Sequence, residues 1–317
     1  MTIQELRQRQ AWTLHQKIDH SLGVIDQFAS HFDGKVFVSF SGGKDSCVML
    51  SMVEMIIPKV PCMFIMTGCE SPSVCRFVRK MKADGHNIDI VRPEKTLRQV
   101  FAECGFPLVS KRVAHDIHAV RRNPTCKSSI RMLDPANKHA IPYRWRYLLT
   151  EPYDVGERCC FWLKKQPSYN YAKRTGRHPY VGLMAAESDT RTAAYIRRGG
   201  CNSFSNDGKQ HPMSMPLAIW TEDDVWAYIK DRQLDIPDIY QHGATRTGCM
   251  GCGFGAHIDH TTLDTLQRLW PKWYDHIMDY TNNGIRYGDA LDRMMQEAGH
   301  FKKHNNKQDN GNNTESL

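Results

Sequence analysis

Two groups of residues in this chain have the types and spacing to do chemistry. The first is Ser41-Gly42-Gly43-Lys44-Asp45-Ser46, with Ser39 just ahead of it. Paired glycines leave backbone N–H groups bare, Lys44 adds a mobile positive charge, and Ser39, Ser41 and Ser46 supply hydroxyls. Such a run can cradle an anion, with phosphate its natural guest. An ordinary turn capped by Asp45 or Ser46 would use the same residue types. The apolar runs on both sides, KVFVSF before and CVML after, favour phosphate. The second group is four cysteines, Cys159-Cys160 and Cys249-Met250-Gly251-Cys252. A C-x-x-C turn framed by Gly248, Gly251 and Gly253 lets both thiolates face one centre. Adjacent cysteines diverge on a strand, so Cys159 and Cys160 must sit at a turn or helix end to serve the same site. The set suits a 4Fe-4S cluster, with irons on several corners, better than zinc, which takes better-separated ligands. A redox dithiol at Cys249 and Cys252, or simply buried thiols, are the alternatives. Cys201, after Gly199-Gly200, is a reserve ligand, and Cys47, Cys62, Cys75 and Cys104 lie in apolar runs that read as core.

The elements that must hold these residues alternate. Helical spacing over 3–30 predicts a packing helix, with Leu6, Trp12, Leu14, Ile18, Leu22, Ile25 and Phe28 on one broad face. A strand leads into the Ser41–Ser46 loop, followed by a helix over 45–57, a strand over 61–67, a helix over 71–83, a strand over 87–91 and a helix over 95–104. Strand pattern returns at 178–184 and 213–219, and Thr221 followed by Glu222, Asp223 and Asp224 starts a helix. Residues 261–298 read as two or three helices. The alternation predicts an α/β fold with a parallel sheet flanked by helices, ligands sitting at the carboxyl ends of its strands. The expected organisation is an N-terminal helix (1–30), a sheet domain (31–256) with a basic insertion over about 105–153, C-terminal helices (257–304), and a polar tail (305–317) too hydrophilic to fold.

At 317 residues the chain can bury a large core. It holds no apolar run long enough to span a bilayer and no signal-like start, so a cytoplasmic protein without membrane attachment is expected. Eleven cysteines without an export signal argue against a disulfide framework. The net charge of +8 is compatible with a polyanionic partner, although a nucleotide alone would account for a local positive patch. In the insertion, Lys111, Arg112, Arg121, Arg122, Lys127, Arg131, Lys138, Arg144 and Arg146 interleave with Tyr143, Trp145 and Tyr147. That mixture suits a nucleic acid such as tRNA or DNA, and equally a solvated segment of Arg–acid pairs.

With these residues in view, the chain resembles the phosphoadenosine phosphosulfate reductase-like branch of the adenine nucleotide alpha-hydrolases, also called PP-loop ATP pyrophosphatases. Residues 41–46 are similar to the pyrophosphate loop of that superfamily. Thr67-Gly68 with Pro72 looks like its second-strand motif, with Met66 where an acidic residue is frequent. Cys159-Cys160 with Lys164 and Pro167 resembles the double-cysteine segment of cluster-bearing sulfonucleotide reductases. Gly182-Leu183 with Glu187-Ser188 and Thr190-Arg191 is similar to their sulfate-end motif, with Met184 and Ala185 where arginines are frequent. Pro216-Leu217, Trp220, Asp224, Val225 and Trp226 resemble the following strand and helix, and Cys249 and Cys252 complete the cluster pattern. The resemblance spans roughly residues 35–255.

Two departures shape what the resemblance implies. The reductases use a cysteine near the C-terminus as nucleophile, and no cysteine follows Cys252 here. Conversely, an intact SGGKDS loop is the form of relatives that split ATP between its α and β phosphates. The resemblance therefore implies an adenylating enzyme of sulfur metabolism, binding ATP, Mg²⁺ and a 4Fe-4S cluster (zinc the alternative), and passing sulfur to an activated acceptor. Lys44, Asp45, Arg191 and Glu187 are its candidate catalytic residues. Ser39, Ser41, Gly42, Gly43, Lys44, Asp45, Ser46, Thr67, Gly68 and Gly182 are the candidate nucleotide contacts, and Cys159, Cys160, Cys249 and Cys252 the ligands. A sulfur donor or a thioredoxin-like protein is the expected partner. A reductase of adenylyl or phosphoadenylyl sulfate using an external thiol, and a non-catalytic nucleotide- or nucleic-acid-binding regulator, are the other readings.

Overall fold

The computed structural model describes residues 2–205 and 211–309, the stretch 300–309 by its backbone alone. The chain runs through α1 (Ile3–Gln10), α2 (Leu14–His31), β1 (Val36–Ser39), α3 (Lys44–Ile56), β2 (Cys62–Ile65), α4 (Pro72–Ala83) and β3 (Ile88–Val91). Next come α5 (Leu97–Cys104), α6 (Lys111–Arg122), α7 (Lys127–Leu133), α8 (Gln166–Thr175), β4 (His178–Val181), α9 (Asp189–Arg198), β5 (Asn202–Ser203) and β6 (Met213–Ser214). Then follow α10 (Glu222–Arg232), α11 (Thr261–Leu269), α12 (Pro271–Met278), β7 (Thr281–Asn282), β8 (Ile285–Arg286) and α13 (Tyr287–Asp309). These elements form two compact units: residues 1–66, 70–93 and 166–247 make the first, and residues 67–69, 94–165 and 248–317 the second.

The first unit carries the sheet, in the order β3-β2-β1-β4-β6-β5, parallel except for β5 against β6. Period-two alternation along β1 sends Val36 and Val38 to one face, where they pack with Phe28, Val48, Met52 and Tyr228. Phe37 goes to the other face with Met63 and with Tyr171 of α8. Both faces are thus covered by helices, which lets these short strands be apolar throughout. β1 lies between β2 and β4, so successive crossovers leave it in opposite directions. Ser39 pairs with Val181, and the segments that follow β1 and β4 emerge at the same sheet end.

Three expectations for this unit need correction. The helix over 3–30 is two helices, because Thr13 opens a capping box: its hydroxyl accepts the Gln16 N–H at 3.3 Å while the Gln16 side chain accepts the Thr13 N–H at 3.0 Å. The strand over 178–184 stops at Val181, where Gly182 begins the segment leading to Ala185–Glu187, a short 3-10 turn. The strand over 213–219 pairs only at Met213–Ser214, since Pro216 offers no ladder donor and the chain turns, Ala218 N–H donating to the Met215 carbonyl at 3.0 Å.

The second unit is built on aromatic packing, with Phe101 against Phe106 and Tyr287 at ring-centroid distances of 5.6 and 4.8 Å. The basic insertion belongs here, and several of its cations are engaged internally. Arg121 donates to the Tyr153 carbonyl at 2.6 Å, Arg146 to the Leu133 carbonyl at 2.8 Å, and Arg112 pairs with Asp116 at 3.0 Å. Trp145 is buried. These contacts match the solvated, internally paired reading of that segment. Within 261–298, read as all helical, β7 and β8 form a hairpin around Asn283-Gly284, both with positive φ (48° and 83°). α13 continues to Asp309 into the tail expected to be unfolded, and residues 310–317 of that tail lie outside the described residues. Among the described residues no helix is long and apolar enough to cross a membrane.

Candidate functional site

The Ser41–Ser46 loop leaves the carboxyl end of β1 and enters α3, whose N-cap is Gly43. Gly42 is held at φ 72°, and a Cβ there would meet the Val74 and Val78 methyls at 2.8 and 2.9 Å. A Cβ on Gly43 would stand 2.2 Å from the Thr247 hydroxyl. Both glycines are thus required, one by conformation and packing, the other by the close approach of Thr247. The hydroxyls knit the loop: Ser46 donates to the Gly43 carbonyl at 2.8 Å, and the Ser41 hydroxyl lies 3.1 Å from that of Ser46. Gly182 sits beside the first turn of α3, where its Cβ would be 3.3 Å from the Asp45 carbonyl. Ser39 stays within the ladder, opposite Met63 and Val181.

Lys44 is buried at 4 % exposure, unusual for an ammonium. Its Nζ lies 3.4 Å from Asp45 Oδ1 and 3.3 Å from Glu222 Oε1, donates to the Thr245 carbonyl at 3.3 Å, and sits 5.9 Å from the ring centres of both Trp226 and Tyr240. Burial alone would lower its pKa, but Asp45, Tyr240 and Glu222 outweigh that and raise it, so the charge is kept. The Lys44 backbone N–H donates to the Tyr240 hydroxyl at 2.9 Å. Asp45 shifts upward, chiefly through burial, with Lys44 opposing. Its buried Oδ1 faces the Lys44 ammonium at 3.4 Å and has no closer hydrogen-bond partner among the described residues. The pKa of Arg191, on α9, is lowered, chiefly by burial, with Asp45 opposing and Arg246 adding to the shift. Glu187 pairs with Arg191 and accepts the Met184 N–H at 3.1 Å.

Lys44, Asp45, Arg191, Glu187 and Gly182 are thus gathered in the first unit. Thr67 and Gly68 fall in the second, where the Thr67 hydroxyl accepts the Cys69 N–H at 3.1 Å and Gly68 has φ 81°. Sequence reading missed Glu222, Tyr240, Thr245, Arg246 and Thr247 as neighbours of the loop. Glu222 was visible only as a helix-start residue, and the others lie about 200 positions away in a segment of no regular pattern.

The four cysteines come together in the second unit around one cavity, also lined by Cys69, Leu97, Phe101, Leu163 and Lys164. It holds about 380 Å³ of atom-free space including its mouth, of which about 30 Å³ admits the centre of a water-sized sphere. Cys159 and Cys160 open a helical stretch that passes through a π-turn at Phe161–Lys165. The Cys160 thiol is held below the ordinary range, first by a hydrogen bond with Cys159 and then by Lys111 and Lys164. Cys159 is pushed up by that same bond, by burial and by Cys252 and Cys249. The Met250 N–H donates to the Cys69 carbonyl at 2.8 Å, and the Tyr287 hydroxyl to the Gly251 carbonyl at 3.0 Å, so the C-x-x-C turn is anchored from two sides. Among the described residues no group of three or more His, Cys, Asp or Glu side chains is placed to hold a metal ion. Cys201, the reserve ligand, is in the first unit with Tyr195 and His20, at 3.6 and 3.8 Å.

A family model, the phosphoadenosine phosphosulfate reductase domain, matches residues 35–253. The chain belongs to this family. Its similar relatives include an uncharacterised protein of Methanocaldococcus jannaschii, 23 % identical over 82 % of this chain and 45 % of that protein. Another is the phosphoadenosine 5'-phosphosulfate reductase of Gloeobacter violaceus, 23 % identical over 71 % of this chain and 74 % of the relative. The chain thus spans less than half the length of the first of these relatives. Among solved structures, the phosphoadenylyl-sulfate reductase of Candida auris in its phosphate complex aligns with a TM-score of 0.41 at 15 % identity, covering 73 % of this chain and 93 % of that one.

Proposed function

We propose that this member of the family is an adenylating enzyme of sulfur metabolism, cleaving ATP to AMP and pyrophosphate in order to activate an acceptor for sulfur transfer. The observation that supports the reading is the buried Asp45 Oδ1, held only by a 3.4 Å approach of the Lys44 ammonium at the loop. A triphosphate brings a divalent cation that seeks carboxylate oxygen, whereas a sulfonucleotide being reduced does not require one. In this reading Gly42, Gly43 and the start of α3 bind the β and γ phosphates and Lys44 neutralises charge as pyrophosphate leaves, while Asp45 would hold Mg²⁺, which would screen the triphosphate. Arg191, held by Glu187, clamps the second anionic group. The acceptor's nucleophilic oxygen attacks the α-phosphorus, the bond to the β-phosphate oxygen breaks, and pyrophosphate departs.

The cysteine cavity fits a group that takes several thiolates at separate points. Zinc, which takes four donors around one centre at about 2.3 Å for sulfur, is the alternative occupant. Four sulfurs spread around an apolar cavity match a 4Fe-4S cluster, held by Cys159, Cys160, Cys249 and Cys252. When bound it would supply a redox-active or electrostatic centre, with its irons fully ligated by cysteine. The hydrogen bond with Cys159, and after it the Lys111 and Lys164 charges, favour the Cys160 thiolate that ligation would need.

Calorimetric titration tests the nucleotide part. Mg²⁺-ATP is expected to bind more tightly than ATP in EDTA, with the difference abolished by Asp45→Asn and binding abolished by Lys44→Ala. Metal-independent binding of ATP, together with thioredoxin-dependent release of sulfite from adenylyl sulfate, would replace this reading with the reductase.

A further inference from the structure

Two donors that the phosphate loop would offer an anion are already engaged by acceptors of the same unit. The Lys44 backbone N–H, the first of α3, donates to the Tyr240 hydroxyl at 2.9 Å, and the Lys44 Nζ donates to the Thr245 carbonyl at 3.3 Å. The Thr247 hydroxyl lies 3.4 Å from that of Tyr240 and stands against Gly43, 2.2 Å from where a Cβ would be. Glu222 Oε1 is 3.3 Å from the same ammonium, and Lys44 is left 4 % exposed. A phosphate oxygen approaches a charged N–H donor to about 2.7–2.9 Å, so an anion and these oxygens cannot occupy the loop together. Tyr240, Thr245 and Thr247 belong to one short segment. Its first part is a 3-10 turn (Asp238–His242) pinned to α4, where the Ser73 hydroxyl donates to Asp238 and accepts the Ile239 N–H at 3.1 Å. The segment leaves that turn at Gly243, held at φ 87°, where an added Cβ would meet nothing within 4 Å.

We propose that residues 240–247 form a strap that closes the phosphate loop by competing for its donors, so that phosphates bind only as the strap is displaced. The inference rests on the phosphate-binding part of the proposed function and concerns how that site is regulated. The anion replaces the Tyr240 hydroxyl at the Lys44 amide and the Thr245 carbonyl at its ammonium, an exchange of acceptors with no covalent change. Tyr240 turns aside on its pinned turn, while 243–247 swings about Gly243. The measured affinity for phosphate is then the loop's own affinity reduced by the fraction of molecules in which the strap is open, and weakening the strap raises it.

Inorganic pyrophosphate, titrated calorimetrically into the full chain, is the probe. Tyr240→Phe keeps the ring that packs edge-on against Trp226 at 5.6 Å and removes the competing hydroxyl. It is expected to bind pyrophosphate about three- to tenfold more tightly than the natural protein, the worth of one hydrogen bond withdrawn from the closed arrangement. In the natural protein, trypsin is expected to cut after Arg246, an exposed residue of the strap, several-fold faster with saturating pyrophosphate, relative to other cuts in the same chain and at constant ionic strength. Equal or weaker binding by Tyr240→Phe, or protection of the Arg246 bond, overturns the strap while leaving the loop a phosphate site. Failure of both proteins to bind pyrophosphate or Mg²⁺-ATP overturns it together with the proposed role of the loop.

Discussion

Replacement of Gly42 by alanine tests whether the loop is as tightly determined as its geometry implies. Gly42 adopts φ 72°, a left-handed conformation that costs an L-residue about 1–2 kcal/mol. The new Cβ would stand 2.8 and 2.9 Å from the Val74 and Val78 methyls, and both valines are 1 % exposed, with no free space to yield. Overpacking of this kind costs about 1–3 kcal/mol, and the smaller entropy of the unfolded alanine chain returns less than about 1 kcal/mol. The net expectation is a loss of about 2–4 kcal/mol, read as a lower urea midpoint at unchanged slope. In a Val74→Ala background the steric part shrinks while the backbone part stays, so the same replacement should cost less there. An equal cost in both backgrounds, or a cost under about 1 kcal/mol in the natural one, would show that the loop is not packed against α4 as described.

Other expectations follow from single contacts. Because Asp45 is shifted above its ordinary value, the folded protein holds that proton better, so the group's contribution to stability is full below pH 3.8 and is lost as pH rises through the shifted value. Asp45→Asn should therefore gain stability relative to the natural protein on the alkaline side, while Mg²⁺-nucleotide affinity of the natural protein rises over that window and then levels off. Lys17→Met leaves Asp224 its Thr221 bonds but removes its counter-charge, since Lys17 is 2 % exposed and donates to it at 2.6 Å, and should cost about 3 kcal/mol in denaturant unfolding. Asn282→Ala removes a buried amide that donates to the Phe101 and Ala102 carbonyls and accepts the Asp154 N–H at 2.7 Å; a loss of about 2–3 kcal/mol is expected. Arg146→Met should lower stability by about 2 kcal/mol and leave retention on immobilised single-stranded DNA unchanged, because its guanidinium is engaged by the Leu133 and Ile141 carbonyls.

The sheet was legible wherever a local signal was strong. Val36–Ser39 followed by paired glycines and a helix could be read directly, since β-branched residues, glycine and a capping pattern all act within a few positions. The Asn283-Gly284 turn carries an equally local hairpin signal, masked by the helical spacing on both sides of it. The neighbours of Lys44 were not legible. The hydrogen bond from its amide to Tyr240 joins residues 196 positions apart, and no periodicity records which distant hydroxyl will reach a loop. Cys69 was hidden for a similar reason: beside Gly68 it looks like one more small residue of a turn, and only the backbone bond from Met250 brings it to the other four sulfurs. The charge of residues 105–153 left a nucleic-acid surface and a solvated, internally paired segment equally open, because composition counts cations without showing that Arg121 and Arg146 serve carbonyls of their own segment.

The interleaving of the two units has a consequence for synthesis. Each is assembled from three separated stretches, and the sheet unit cannot close until residue 247 has been made. Its strand β1 must wait for β4, about 140 residues later on the ribosome, before its second edge is paired. During that interval the apolar edge of β1 is exposed, and at an elongation rate of about 5–20 residues per second the wait lasts on the order of ten seconds. The glycine loop after β1 therefore emerges long before the strand that completes its sheet neighbourhood, and no single cut in the finished polypeptide can release one unit whole.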